Sequence, residues 1–323
     1  MKIAFLMKNR PDYVQRIPPD VEWVEFVPGP DGVYAAEDLA RAADADAVIL
    51  SHQPVNEQLL AAMPRLKIVH CPGRGYDTVD LAACARRGIP VCNHVDINKD
   101  ALGEHAMALL LALTRRIVST HGHLLAADWL AARAHLDDTV ELKGRTLGIV
   151  GFGRSGYELA RRARAFDMRI LYNSRSPVDS RLVDAVGAAF REKDALYAEA
   201  DVISLHVSLN PSTRNLIGAR EIGLMKPGAF LVNVTRGGVV DEQPLADALN
   251  AGRLGGAGMD VFSVEPIRPD NPLLTARNVV LTAHAAGTTR ECTDREIQWS
   301  VENIRRYVER GERPSNIING VEP

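Results

Sequence analysis

Short apolar runs recur along the chain, separated by stretches whose apolar positions follow helical spacing. The runs at 2–7, 23–27, 47–51 and 67–71 are bounded by polar or turn-forming residues and read as strands. Segments 35–43, 56–62 and 78–87 fall between them and read as helices. Strand and helix in alternation predict a parallel sheet flanked by helices. Segment 101–119 carries a longer stripe at helical spacing and reads as a connecting helix between two halves. A second alternation opens near Arg145. Its strands are expected at 145–150, 168–173, 201–207, 229–234, 256–261 and 278–282, with helices near 155–166, 219–225 and 241–251. That arrangement suits a doubly wound dinucleotide-binding sheet. The last element, from Thr288 to about Arg310, is a helix with a charged face of Arg290, Glu291, Asp294, Arg295 and Glu296.

A length of 323 residues accommodates two domains, each with its own core. The net charge of −3 offers no electrostatic case for nucleic acid or an anionic membrane. The apolar start at 1–8 is too short for a signal peptide. The apolar run 109–113 is bracketed by Glu104, His105, Arg115 and Arg116, which makes it a buried helix and not a membrane span. The four cysteines, Cys71, Cys84, Cys92 and Cys292, form no C-x-x-C pair; they read as reduced core thiols of a cytoplasmic protein, with no metal site.

The stretch 148–156, Gly-Ile-Val-Gly-Phe-Gly-Arg-Ser-Gly, adds chemistry to this outline. A buried strand runs into Gly151, Gly153 and Gly156 and then opens a helix. Such a turn lets the backbone approach a pyrophosphate, while the N–H groups of the helix start (Arg154, Ser155) face its charge. A glycine-rich turn of this kind can also be purely structural. The strand before it, the helix after it and a second strand some twenty residues on favour a dinucleotide site.

Three residues near the ends of late strands belong together: Arg236, Glu265 and His284. Ligands of open α/β sheets bind at the carboxyl ends of strands, so the three are expected to converge beside the nicotinamide. Reduction of a 2-oxo acid needs a cation to hold the carboxylate and an acid to protonate the carbonyl oxygen. Arg236 supplies a rigid two-pronged donor. His284 supplies the acid, and a carboxylate such as Glu265 would orient the imidazole and favour its charged form.

At this point the chain resembles, nearly end to end, the D-isomer-specific 2-hydroxyacid dehydrogenases, in the manner of glyoxylate/hydroxypyruvate reductases. The motifs that carry the resemblance are Gly-Arg-Gly-Tyr-Asp at 73–77, Ala-Leu-Gly-Glu-His at 101–105 and the run 142–151. Further ones are Asn-Val-Thr-Arg-Gly-Gly-Val-Val-Asp at 233–241, Asp-Val-Phe-Ser-Val-Glu-Pro at 260–266 and Thr-Ala-His-Ala-Ala-Gly at 282–287. The resemblance implies that Arg236, Glu265 and His284 are catalytic, that Asp260 contacts the nicotinamide carboxamide and that Thr213 helps hold the pyrophosphate. Val207, Val234 and Gly287 join the expected cofactor set. Backbone amides near Arg74 and Gly75 would bind the substrate carboxylate, and His52 and Gln53 are candidates for the pocket wall. The implied fold is α/β with two doubly wound parallel-sheet domains, a Rossmann cofactor domain (99–288) inserted into a flavodoxin-like substrate domain (1–98 plus 289–323). The active site is expected in the cleft between them. A homodimer pairing through the cofactor domain is implied, with 106–113 as one candidate contact and burial within its own subunit as the other reading. His105 and His206 are read as structural.

Departures from the pattern carry their own expectations. Ala283 stands where the family usually has proline, and would relax the backbone before His284. Arg74 and Tyr76 replace smaller residues; Arg74 is read either as a surface side chain or as the partner of a second anionic group on the substrate. NAD-specific members end the second strand of the cofactor fold in an acidic residue that accepts from the ribose hydroxyls. Here Asn173, Ser174 and Arg175 stand at that end, and without the carboxylate a 2′-phosphate meets no repulsion. NADP is therefore expected in preference to NAD. The leading expectation is an NADP(H)-dependent 2-oxo acid reductase. Glu265 argues against a formate dehydrogenase, where glutamine is expected. The alternatives are a member acting on phosphoglycerate or phosphite, or a non-catalytic dinucleotide-sensing corepressor.

Overall fold

A computed structural model describes residues 1–7, 11–50 and 52–322. The expected strand end at Ser51 and the Lys8 end of the first apolar run lie outside the described residues, as do positions 9, 10 and 323 of the expected domain ranges. The chain forms two compact units, Met1–Ile97 with Arg290–Pro323, and Asn98–Thr289.

In chain order the first unit opens with β1 (Lys2–Leu6), α1 (Pro11–Val14), β2 (Glu22–Glu25), α2 (Ala36–Ala42), β3 (Ala47–Leu50), α3 (Glu57–Ala62), β4 (Ile68–Cys71), α4 (Leu81–Arg86) and β5 (Val91–Asn93). The strands form one parallel sheet in the order β2-β1-β3-β4-β5, a flavodoxin-like winding. β3 and β4 are buried throughout, as central strands covered on both faces must be. Side-chain caps from Asn56 and Asp80 set the starts of α3 and α4. One face of the sheet packs on α2, α3 and α4 through Val48, Leu50, Leu59, Leu60 and Ala83.

The second unit follows with α5 (Lys99–Thr114), α6 (Ile117–Leu125), α7 (Trp129–Ala134), β6 (Thr146–Val150), α8 (Arg154–Arg164), β7 (Arg169–Asn173), α9 (Ser180–Val186), β8 (Ala189–Phe190), α10 (Lys193–Glu199) and β9 (Val202–Leu205). It closes with α11 (Ala219–Leu224), β10 (Phe230–Asn233), α12 (Glu242–Asn250), β11 (Gly256–Met259) and β12 (Val279–Leu281). Its seven strands run parallel in the order β12-β11-β10-β9-β6-β7-β8, with a core on each face. The chain then returns to the first unit as α13 (Arg290–Val308), whose Ile297, Val301 and Ile304 cover the other face of the five-stranded sheet beside Ile3, Phe5 and Ile49.

The connecting helix expected at 101–119 is not continuous. Arg116 adopts the left-handed region at φ 55°, which ends α5 and starts α6 in a new direction. Within residues 106–113, Ala106, Leu109, Leu110 and Leu113 are buried in the core of their own unit. Gly103 lets α5 approach α8, since a Cβ there would lie 2.8 Å from Glu158 Cβ. The next two helices leave a run of apolar side chains exposed: Ile117, Val118, Leu124, Leu125, Trp129 and Leu130. Among the described residues no helix is long and apolar enough to cross a membrane, and no cluster of three or more metal-ligating side chains occurs. The four cysteines are buried thiols outside any disulfide.

Candidate active site

The glycine turn follows β6 directly. Gly151 has φ 93°, and a Cβ there would lie 2.6 Å from the His206 carbonyl oxygen, so neither conformation nor space admits a side chain. A Cβ on Gly153, by contrast, would meet nothing within 4 Å. Gly153 precedes α8 without capping it by a side chain. An open backbone at an uncapped helix start suits the pyrophosphate of a nicotinamide dinucleotide. Gly156 lies where a Cβ would press within 2.7 Å of the Gly151 carbonyl oxygen, which seats the helix on the turn. Ser155 Oγ lies 3.1 Å from His206 Nδ1, and His206 Nε2 lies 3.0 Å from Ser204 Oγ. Burial lowers the His206 pKa to about 4, which keeps this bridging imidazole neutral.

Other expected cofactor positions surround the same sheet end. Val207 lies beside Gly151, Val234 is buried in the core and the Thr213 hydroxyl donates to Ser208 O (2.7 Å) within its own turn. At the end of β7 the Asn173 carboxamide donates to Arg191 O (2.8 Å). Ser174 is half-buried, and Arg175 is exposed with no ion pair or hydrogen bond of its side chain among the described residues.

β10, β11 and β12 lie side by side in register, Asn233 opposite Met259 and Met259 opposite Leu281. Their carboxyl ends therefore lead into Arg236, Glu265 and His284 from one edge of the sheet. Asn233 is fully buried and shapes the first of these exits. Its Oδ1 accepts from the Thr235 amide and hydroxyl (3.0 and 2.8 Å), and its Nδ2 donates to Arg236 O (3.0 Å). Gly237 crosses the chain at Phe262 so closely that a Cβ would overlap the Phe262 carbonyl carbon, which sets the Arg236 segment against the one that carries Glu265. Glu265 Oε1 accepts from the Phe262 amide (2.9 Å), leaving Oε2 2.7 Å from His284 Nδ1.

Asp260, expected at the carboxamide, has its carboxylate occupied within the protein. It is fully buried, with Oδ1 accepting from Thr282 Oγ1 (2.6 Å) and Ala285 N (2.8 Å), and Oδ2 from Ala286 N (2.8 Å). Its backbone carbonyl accepts from the His284 amide (2.7 Å). His105 Nε2 lies 2.9 Å from the same Thr282 hydroxyl. This network anchors the 282–287 loop, in which His284 adopts φ 51°. A left-handed histidine costs on the order of 1–3 kcal/mol and persists only where its surroundings over-determine it. The buried Asp260 supplies that constraint, whatever freedom Ala283 in place of proline allows. Gly287 closes the loop, where a Cβ would meet Asn98 Nδ2 at 2.8 Å.

Sequence reasoning missed the anchoring parts played by Asn233, Asp260 and Thr282. For Asn233 a signal existed, since asparagine at a strand end before a turn often bonds its own backbone two residues on. For Asp260 and Thr282 nothing local marked the partnership.

In the first unit the 73–77 loop leaves β4. The amides of Arg74 and Gly75 donate to no group among the described residues, and neither does the exposed Arg74 guanidinium. Tyr76 is likewise exposed. His52 is exposed, and its amide donates to Gln53 Oε1 (3.0 Å).

Residues 107–286 match the family described as "D-isomer specific 2-hydroxyacid dehydrogenase, NAD binding domain". A relative from Aeropyrum pernix named glyoxylate reductase is 38% identical over 305 residues, covering 93% of this chain and 90% of the relative. The crystal structure of the TT0316 protein from Thermus thermophilus superposes with a TM-score of 0.87 at 33% identity, over 98% of this chain and all of the other. The acyclic imino acid reductase Bsp5, solved with NADPH and D-Arg, superposes with a TM-score of 0.82 at 27% identity, again over 98% of this chain and all of the other.

Proposed function

The chain belongs to the D-isomer-specific 2-hydroxyacid dehydrogenases, which are NAD(P)-dependent oxidoreductases, and we propose that it reduces a small 2-oxo acid to the D-2-hydroxy acid with NADPH as preferred donor. One observation carries this reading above the others. It is the Glu265–His284 pair at 2.7 Å, set after strand ends of the same sheet that bears the glycine turn.

The dinucleotide, when bound, supplies the hydride that arrives at the carbonyl carbon. Glu265, a carboxylate, can only accept, so the Nδ1–H of His284 points to it and Nε2 is left to carry the mobile proton. In reduction Nε2 delivers that proton to the substrate oxygen; in the reverse direction it removes the hydroxyl proton. Arg236 holds the substrate carboxylate with its fork and polarises the adjoining carbonyl. The amides of Arg74 and Gly75, which donate to no group among the described residues, form a second carboxylate-binding group, with His52 and Gln53 in the pocket wall. Arg74 reads a second anionic group on the substrate.

The backbone of 151–156 takes the pyrophosphate, with Asp260 positioning the 282–287 loop at the nicotinamide end. NADPH is favoured because residues 173–176 at the end of β7 hold no carboxylate and the exposed Arg175 guanidinium is available for a 2′-phosphate. The structural relative Bsp5 was solved with NADPH, which agrees with this choice. The protein acts as a homodimer joined through the exposed apolar faces of α6 and α7.

A panel of 2-oxo acids assayed with NADPH and with NADH tests the whole reading. Turnover of glyoxylate or a close homologue with higher kcat/KM for NADPH is the expected result. Binding of NADPH without turnover of any 2-oxo acid would instead favour a dinucleotide sensor.

A further inference from the structure

Two carbonyl clamps act on the 73–77 loop, and both come from consecutive residues at the end of β5. The His94 amide donates to Gly73 O (3.1 Å), and Asn93 Nδ2 donates to Arg74 O (2.9 Å). Each carbonyl shares a planar trans peptide with the N–H of the following residue, and in such a peptide the C=O and N–H point in opposite directions. The Gly73 carbonyl therefore sets the direction of the Arg74 amide, and the Arg74 carbonyl sets that of the Gly75 amide. These are the two amides that donate to no group among the described residues.

The clamps are themselves held from behind. Asn93 is 3% exposed, and its backbone amide donates to Asn316 O (3.3 Å), from the tail that pairs along β5. The His94 ring packs on Trp299 of α13 with ring centroids 3.8 Å apart, and the fully buried His70 ring contacts the same indole at 5.2 Å. The ring nitrogens of His94 and His70 have no hydrogen-bond partner among the described residues, so the imidazoles act here as packing surfaces.

We propose that Asn93 and His94 are positioning residues for substrate binding: they turn the peptide planes 73–74 and 74–75 so that the Arg74 and Gly75 amides project together toward the substrate carboxylate, with Trp299 fixing His94. The proposal rests on the assignment of this loop as a carboxylate-binding group. Its signature is a change in substrate affinity without a change in chemistry. A merely structural role would lower stability and active fraction instead, leaving KM alone.

The test is Asn93→Leu, which keeps the side-chain size and removes the donor. Expected are a KM for glyoxylate raised at least tenfold, an inhibition constant for oxamate raised in parallel, a kcat within threefold and an unchanged Kd for NADPH. Should Asn93→Leu fail to fold, Asn93→Asp retains the shape and places an acceptor against the Arg74 carbonyl, and the same rise in KM is expected. Gly75→Pro, which deletes one of the two amides, separates this proposal from the reading beneath it. If Gly75→Pro raises KM and the Asn93 variants do not, the clamp is refuted while the loop keeps its role. If none of them moves KM, the loop does not bind the carboxylate and both fall.

Discussion

His284 Nδ1 and Glu265 Oε2 lie 2.7 Å apart although nineteen residues separate them along the chain. The contact depends on two parallel strands ending side by side, on the Phe262 amide that steadies the other carboxylate oxygen, and on a left-handed backbone at His284.

That pairing predicts unequal losses. His284→Gln should lower kcat by roughly a thousandfold, because the proton donor is gone while the pocket volume is nearly kept. Glu265→Gln retains a hydrogen-bonding group beside Nδ1 but no charge, and a smaller loss of about tenfold to a hundredfold is expected. Steady-state kinetics with saturating NADPH measure both, with fluorescence titration showing an unchanged Kd for NADPH. A fully active His284→Gln enzyme would place the acid elsewhere.

Coenzyme choice is expected to turn on the end of β7. Arg175→Ala should raise KM for NADPH about tenfold and leave that for NADH unaltered, since only the 2′-phosphate meets the guanidinium. Asn173→Asp should shift kcat/KM toward NADH by supplying an acceptor for the ribose hydroxyls and repelling the phosphate. Equal effects of Arg175→Ala on the two cofactors would remove the residue from recognition.

Arg74 should separate substrates by their distal charge. Arg74→Ala is expected to cost at least tenfold in kcat/KM with oxaloacetate or phosphohydroxypyruvate and less than threefold with glyoxylate or pyruvate. Parallel losses on the two sets would reduce the side chain to a surface role, without touching the part given to its amide.

Acid should destabilise the first unit. Burial pushes the His70 pKa down to about 3 and, together with the Arg295 charge and against that of Asp96, the His94 pKa to about 4. His70 is further opposed by His94, and its strand neighbour Cys92 is a thiol raised by burial to about 12. An imidazole depressed in the fold binds its proton more readily when unfolded. Its contribution is therefore present above the ordinary histidine value near 6.5 and is lost as pH falls toward the folded value. For His70 alone the loss between about pH 7 and pH 5 is on the order of 2 kcal/mol. Urea denaturation at the two pH values should show it, and His70→Phe should flatten the difference.

Assembly is expected to depend on α6 and α7. Leu125 and Leu130 are 76% and 80% exposed, unusual for leucines on neighbouring helices. Leu125→Glu with Leu130→Glu should yield a species near the chain mass of 35.2 kDa by light scattering, where the parent protein gives twice that. A parent protein that is itself monomeric would refute the dimer.

The strand–helix alternation, the glycine turn and the order Arg236, Glu265, His284 were legible in the sequence because each is written locally, in apolar periodicity or in turn chemistry at fixed spacing. β5 and β8 were not legible. They span three and two residues, too short for any period, and β5 is a strand only because β4 and the tail near Ile317 lie against it. The same holds for the break at Arg116, where an apolar stripe continues through a change of direction. Asp260 was expected at the carboxamide by the resemblance, but nothing local marked that its carboxylate also accepts from three donors of residues 282–286. Asn93 gave no sign of acting on Arg74, nineteen residues before it. The sequence by itself determined the main strand–helix alternation and which side chains are candidates for chemistry. Only the tertiary structure decided which buried polar groups hold those side chains and amides in place, because a hydrogen bond between distant segments exists only once the strands bearing them are aligned.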